Sequence, residues 1–156
     1  MAIVLMDSGI IGLLTNPYKQ GESAACERWL LGLSAKGVYI ISSVLCDYEV
    51  RRNLILESER TGNRDSLNNL DELTDFVSFL SVSDESLQLA SVLWAQSKLS
   101  GLPTAQDGSL DADLIICAQW RILSAQYPGQ MSIIATTNVK HLSRFATASR
   151  WQDINL

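Results

Sequence analysis

The stretch Ala2-Ile3-Val4-Leu5-Met6-Asp7-Ser8-Gly9 decides the fold. Its apolar residues are too few for a helix and do not alternate with polar ones, so they read as a strand buried on both faces. Asp7-Ser8-Gly9 follows at the carboxyl end of that strand. Ile10–Leu14 then opens a helix that Thr15-Asn16-Pro17 closes.

Working outward, the same alternation repeats. Glu22–Leu33 carries Ala25, Trp29, Leu30 and Leu33 at helical spacing, Lys36-Gly37 punctuates, and Val38–Ile41 is a second strand. Ser43 is placed as the N-cap of a helix over Val44–Glu57, with Leu45, Tyr48 and Leu54 or Ile55 on its inner side. Thr61-Gly62-Asn63 breaks the chain, Asp65–Asp75 is a polar-faced helix, and Phe76–Val82 is a third strand. Ser83 caps a helix running to about Leu99, with Asp84 and Glu85 suited to its first turn, and Gly101-Leu102-Pro103 ends it. Gly108–Leu110 reads as a loop. An almost wholly apolar helix starts at Asp111 or Ala112 and continues to about Gln126, where Pro128-Gly129 stops the chain. Met131–Ala135 is a fourth strand ending at Thr136-Thr137-Asn138, and Trp151–Asn155 is a short fifth strand at an edge. Strands alternating with helices require right-handed crossovers and a parallel sheet covered on both faces. In such sheets ligands bind beyond the carboxyl ends of the strands.

Composition sets the class. The 156 residues fit one domain, 1–156, and 47% hydrophobic with 19% charged residues excludes a disordered chain. A chain of this size buries roughly 68–70% of its unfolded surface, enough for a core without disulfide or metal staples. Twelve Lys and Arg against seventeen Asp and Glu give a net charge of −5. That balance argues against a strong non-specific grip on nucleic acid. Cys26, Cys46 and Cys117 are odd in number, widely spaced and set among apolar neighbours, which predicts buried thiols and no Cys-type zinc site. His141 is the only histidine and no G-x-S-x-G elbow is present, so zinc-histidine and serine-hydrolase chemistry are disfavoured. No stretch has the length or charge flanks of a signal peptide or membrane span, which predicts a cytoplasmic protein without a membrane partner.

Four positions then stand out: Asp7 at a strand end, Glu49 nearly two turns into the Ser43-capped helix, Asp113 in the first turn of the apolar helix, and Asn138 after strand four. Each alone is unremarkable as a turn, cap or solvated residue, and Asp111 is a fifth position of the same ambiguous kind. Their joint placement carries the case. Two carboxylates about 4 Å apart repel by roughly 4 kcal/mol at an effective dielectric near 20, so a cluster must take up protons or a divalent cation. Asp, Glu and Asn are hard oxygen donors suited to Mg²⁺ or Mn²⁺. A water activated by such an ion attacking a phosphodiester is the natural chemistry.

The ordered segments Ile3-Val4-Leu5-Met6-Asp7-Ser8, Ser42-Ser43-Val44-Leu45-Cys46-Asp47-Tyr48-Glu49-Val50, Leu110-Asp111-Ala112-Asp113-Leu114-Ile115-Ile116-Cys117-Ala118-Gln119 and Ala135-Thr136-Thr137-Asn138-Val139-Lys140-His141-Leu142 resemble the PIN-domain family, especially the VapC-like toxins of bacterial toxin–antitoxin pairs. The resemblance spans essentially the whole chain. It implies a three-layer α/β/α sandwich with a central, mostly parallel sheet of four to five strands. It also implies a Mg²⁺- or Mn²⁺-dependent endoribonuclease acting on single-stranded or structured RNA, with an antitoxin partner and a homodimeric assembly. Asp7, Glu49 and Asp113 are its implied metal-binding and catalytic acids, with Asn138 a fourth catalytic position that is neutral here. Thr136 and Ser8 match auxiliary hydroxyl positions, and Asp111 is either an auxiliary acid or a helix cap.

Arg51 and Arg52 follow Glu49, but adjacent helical residues diverge, so at most one is expected to meet substrate phosphate. His141 and the four scattered tryptophans are expected to be structural, and 51–75 is a candidate arm for a partner or second subunit. A haloacid-dehalogenase-type phosphatase would need an Asp at the position of Gly9. The competing reading that survives is a catalytically weak PIN-like module that binds RNA or protein.

Overall fold

The computed structural model describes residues 1–101 and 107–156, with residues 107–110 as helical backbone only. The elements run β1 (Ile3–Met6), α1 (Ser8–Thr15), α2 (Gly21–Ala35), β2 (Tyr39–Ser43), α3 (Val44–Thr61), α4 (Asp65–Glu72), β3 (Ser78–Leu80), α5 (Asp84–Leu99), α6 (Asp107–Gln126), β4 (Ser132–Thr136), α7 (Val139–Leu142) and β5 (Ala148–Arg150). Short 3₁₀ turns follow α4 and β5.

The sheet order is β3-β2-β1-β4-β5 and every pairing is parallel. Both sides of β1 are covered, because all four of its residues are buried. That is why its sequence shows no alternation. The chain steps from β1 to β2 to β3 in one direction, then crosses back to β4 and on to β5. Right-handed crossovers therefore put α1–α4 on one face and α5–α7 on the other. The contacts agree: α1 touches α2, α3 and α4, while α6 touches α5 and α7. The result is the expected α/β/α sandwich, with five strands. The reversal of direction lies between β1 and β4, and it leaves a crevice at their carboxyl ends.

Local chemistry explains the main boundaries. The Ser43 side chain accepts from Leu45 N at 3.1 Å and Ser83 accepts from Ser86 N at 3.1 Å, so both expected caps form. Gly62, at φ 73°, ends α3 in the left-handed region, and its N–H reaches Ser58 O at 2.8 Å. The expected Gly101-Leu102-Pro103 stop lies partly outside the described residues. Among the described residues no helix is long and apolar enough to cross a membrane.

Several expectations are corrected. The 108–110 segment is helix, not loop, so Asp113 sits in the second turn of α6 and Asp111 is not its cap. The edge strand is Ala148–Arg150, and Trp151–Asp153 is a 3₁₀ turn whose Trp151 ring packs 5.7 Å from Trp29. β3 is only Ser78–Leu80, and the 65–75 helix gives way to a 3₁₀ turn after Glu72. On α3 the buried residues are Cys46, Val50 and Ser58, whereas Tyr48 is 58% exposed. Spacing of four carries that stripe through Leu54, which packs partly buried against the core as expected, and leaves Tyr48 and Ile55 outside it.

Candidate active site

Asp7 leaves β1 at the β1–β4 crevice and becomes the N-cap of α1. Its Oδ1 accepts from Ile10 N at 3.2 Å, and its Oδ2 accepts from the Thr136 hydroxyl at the end of β4. That hydroxyl in turn accepts from Asn138 N at 2.8 Å, which commits its proton to Asp7. Burial pushes the Asp7 pKa up, while the Thr136 hydroxyl and the backbone N–H groups of Ile10, Gly9 and Thr137 oppose it. Beneath the crevice the Ser42 hydroxyl donates to Met6 O at 2.7 Å, tying the end of β2 to β1.

Glu49 comes from α3 and Asp113 from α6, on opposite sides of the sheet. Burial raises the Glu49 pKa, the Arg52 charge lowers it, and the Asp7 charge raises it again. Asp113 is pushed from 3.8 up to about 6 by burial first, then by the charges of Asp7 and Glu49. Three acids from three separate elements thus share one electrostatic field, and each is held above its ordinary pKa. A position in the second turn of α6 weakens the bland reading of Asp113 as a first-turn acid. Among the described residues no three Asp, Glu, His or Cys side chains close tightly enough to grip an ion. The donor set itself, three oxygen acids that repel one another, fits Mg²⁺ or Mn²⁺.

Beside the acids runs a groove of about 370 Å³, lined by Ser8, Gly9 and Gly12 from α1 and by Glu49, Arg52 and Asn53 from α3. The two arginines part company as helical geometry requires. Arg51 is tied to Asp47 at 3.0 Å and Asp71 at 2.9 Å, joining α3 to α4. Arg52 lies on the groove, with its guanidinium carbon 5.2 Å from the centre of the Tyr48 ring. Asp111 is exposed and lines a different groove with Leu87, Ala90, Ser91, Trp94 and Ile115. Two residues along a helix rotate by about 200°, so Asp111 and Asp113 face apart. Asn138 is exposed, and its side chain makes no cap bond to α7. The three cysteines are free and buried, as expected. Burial holds Cys46, which feels the Asp7 and Glu49 charges, at about 12 as an unreactive thiol.

Sequence reasoning missed Gly9. A Cβ there would stand 2.4 Å from Thr137 Oγ1 and 3.4 Å from Asp7 Oδ1, so any side chain at this position would have to push the Thr137 hydroxyl aside. The signal was the Asp-Ser-Gly triplet, used only to exclude a phosphatase. Gly9→Ala is expected to lower stability by about 1–3 kcal/mol through overpacking, measured by thermal melting. The G9A/T137G double variant, which clears the space, should recover most of that loss.

No protein-family model matches the chain, and no curated protein does. Solved structures do. VapBC2 from Rickettsia felis, bound to a DNA fragment from its promoter, aligns at TM-score 0.67 and 16% identity, over 96% of this chain and 98% of that one. FitAcB from Neisseria gonorrhoeae aligns at 0.68 and 18%, over 97% and 99%. VapBC-1 from nontypeable Haemophilus influenzae aligns at 0.62 and 18%, over 97% and 99%. At these identities the likeness establishes the fold, a PIN-like α/β/α sandwich.

Proposed function

We propose that this chain is a Mg²⁺- or Mn²⁺-dependent endoribonuclease and the toxin of a toxin–antitoxin pair. The observation that carries the reading is the shared field of Asp7, Glu49 and Asp113 at the β1–β4 crevice, with Asp113 raised to about 6. Asp7, Glu49 and Asp113 would hold the ion. When bound, the ion supplies neutralisation of charge on the phosphoryl oxygens and activation of water.

The chain's own residues divide the remaining work. Thr136 donates to Asp7 and so favours its ionised form, which is the form a cation needs. Arg52, on the groove beside Glu49, is the cation placed to meet a substrate phosphate, whereas Arg51 is occupied by Asp47 and Asp71. Asn138, exposed at the end of β4, orients substrate or water without adding charge to the acids. Ser8 lines the same groove. Solved structures that share the fold include VapBC and FitAB complexes, which supports a protein partner, an antitoxin, for this chain. A homodimer acting in the cytoplasm completes the proposal.

The test is cleavage of unstructured RNA by the purified chain with Mn²⁺, Mg²⁺ or EDTA. Cleavage with either ion and none in EDTA is expected. Absence of both cleavage and calorimetric Mn²⁺ binding would leave the non-catalytic binding module as the better reading. Growth arrest on expression, relieved by the product of an adjacent small reading frame, tests the toxin assignment separately.

A further inference from the structure

Residues 114–152 contain no Asp or Glu, yet they carry Arg121, Lys140, Arg144 and Arg150 and the only histidine. One quarter of the chain thus holds four of its twelve cations and none of its seventeen acids, while the whole chain stands at −5. The fold gathers this segment on one side of the acid site. β4 and β5 form one end of the sheet, and the register pairs Thr136, the hydroxyl that holds Asp7, with Arg150. Arg150 is therefore at the carboxyl end of β5, on the same edge as Asp7. Asn138, whose N–H bonds the Thr136 hydroxyl, leads straight into α7, where Lys140 is exposed. Arg121 belongs to the same flank, because its Nε donates to Phe145 O at 2.7 Å. Among the described residues Arg150 pairs with Asp153 at 3.2 Å, and both side chains are largely exposed there.

Three acids at the crevice repel a phosphate chain, and a single divalent cation offsets only part of that charge. A strand crossing the crevice therefore gains most where cations adjoin it. Arg52 adjoins it on the α3 side, and the β4–α7–β5 shoulder adjoins it on the other. We propose that this shoulder holds the RNA strand beyond the cleavage position, with Lys140 and Arg150 binding its phosphates. The proposal rests on the ribonuclease reading for its choice of ligand and deepens it by assigning the direction in which substrate lies.

The experiment compares the full-length protein with K140Q/R150Q and with R60Q/R64Q, which removes two exposed cations near the far end of α3. Binding of a labelled, unstructured RNA is followed by fluorescence anisotropy in EDTA over a range of salt, where no cleavage intervenes. K140Q/R150Q is expected to bind roughly tenfold more weakly, with a salt slope smaller by about 1.4, since each single-strand phosphate contact contributes about 0.7. R60Q/R64Q should change affinity by less than twofold. Calorimetric Mn²⁺ affinity and melting temperature should match wild type in both. Equal RNA binding by K140Q/R150Q and wild type overturns the proposal, as does an equal loss in R60Q/R64Q. Failure of wild type to cleave in Mn²⁺ would strike the ribonuclease reading instead, and the anisotropy comparison still decides the shoulder.

Discussion

Asp7→Asn should abolish Mn²⁺-dependent RNA cleavage in a chain that still folds. Asn is as good an N-cap as Asp, so the bond from Ile10 N and the start of α1 survive. What disappears is the charge, together with the second acceptor oxygen, to which the Thr136 hydroxyl donates. Removing groups that merely orient a metal ligand costs about 10–100-fold, so loss of a direct ligand is expected to cost at least about a hundredfold. Stability is pulled both ways: the Thr136 hydroxyl loses its acceptor, while the Asp7 charge that helps push up the Glu49 and Asp113 pKa values is removed. Without it both should titrate closer to their ordinary range. Cleavage assays and thermal melts, taken together, separate this outcome from simple unfolding. A D7N protein that cleaves within tenfold of wild type would remove Asp7 from the site.

The second large effect is a dependence of stability on pH that divalent cation reverses. Asp113 titrates at about 6 in the fold against 3.8 ordinarily, so the folded state favours its protonated form. Its stabilising contribution is complete below pH 4 and is lost as pH rises through 6. Asp7 and Glu49 are raised in the same direction. At 1.36 kcal/mol per pKa unit, Asp113 alone accounts for at most roughly 3 kcal/mol. For a chain of this size that is a melting-temperature shift on the order of 5–10 °C. In EDTA, the contribution from these acids should therefore make the protein melt lower at pH 7.5 than at pH 5. Millimolar Mn²⁺ should raise the melting temperature at pH 7.5 and do little at pH 5, where protons compete for the same oxygens. A Mn²⁺ shift of equal size at both pH values would show that the ion binds elsewhere.

The parts of the fold legible in sequence are those whose signal is local. The apolar run of β1, the hydroxyl caps at Ser43 and Ser83 and the glycine end of α3 each rest on their own residues. The misreadings have tertiary causes. Gly108 and Ser109 are poor helix formers, yet their backbone joins α6. Ala148-Ser149-Arg150 has no β-branched residue, yet its pairing with β4 makes it a strand, while the aromatic and branched residues after it were the better lure. α7, at four residues, is too short to show a period. On α3 the residues turned inward are small, Cys46 and Ser58 among them, and size alone pointed to Tyr48. Among the proposed acids, Asp7 is marked by its strand end and Glu49 by the helix leaving β2, while Asp113 lies near the start of α6, the helix that returns to β4. Helical rotation turns Arg51 to Asp47 and Asp71 and Asp111 to a different groove, and Gly9 could not be found without knowing what stands opposite it.

The three buried thiols give the molecule an internal clock. Cys26, Cys46 and Cys117 lie in α2, α3 and α6, each hidden and each held at about 12 by burial first. A thiol reagent at neutral pH can therefore modify a chain only while that part of it is open. Cys46 lies under the acids on one face of the sheet and Cys117 under α7 on the other, where its Sγ faces Leu142 O at 3.8 Å. Their separate labelling rates resolve local breathing of the two helical layers, and a ligand that fastens the crevice slows Cys46 ahead of Cys26.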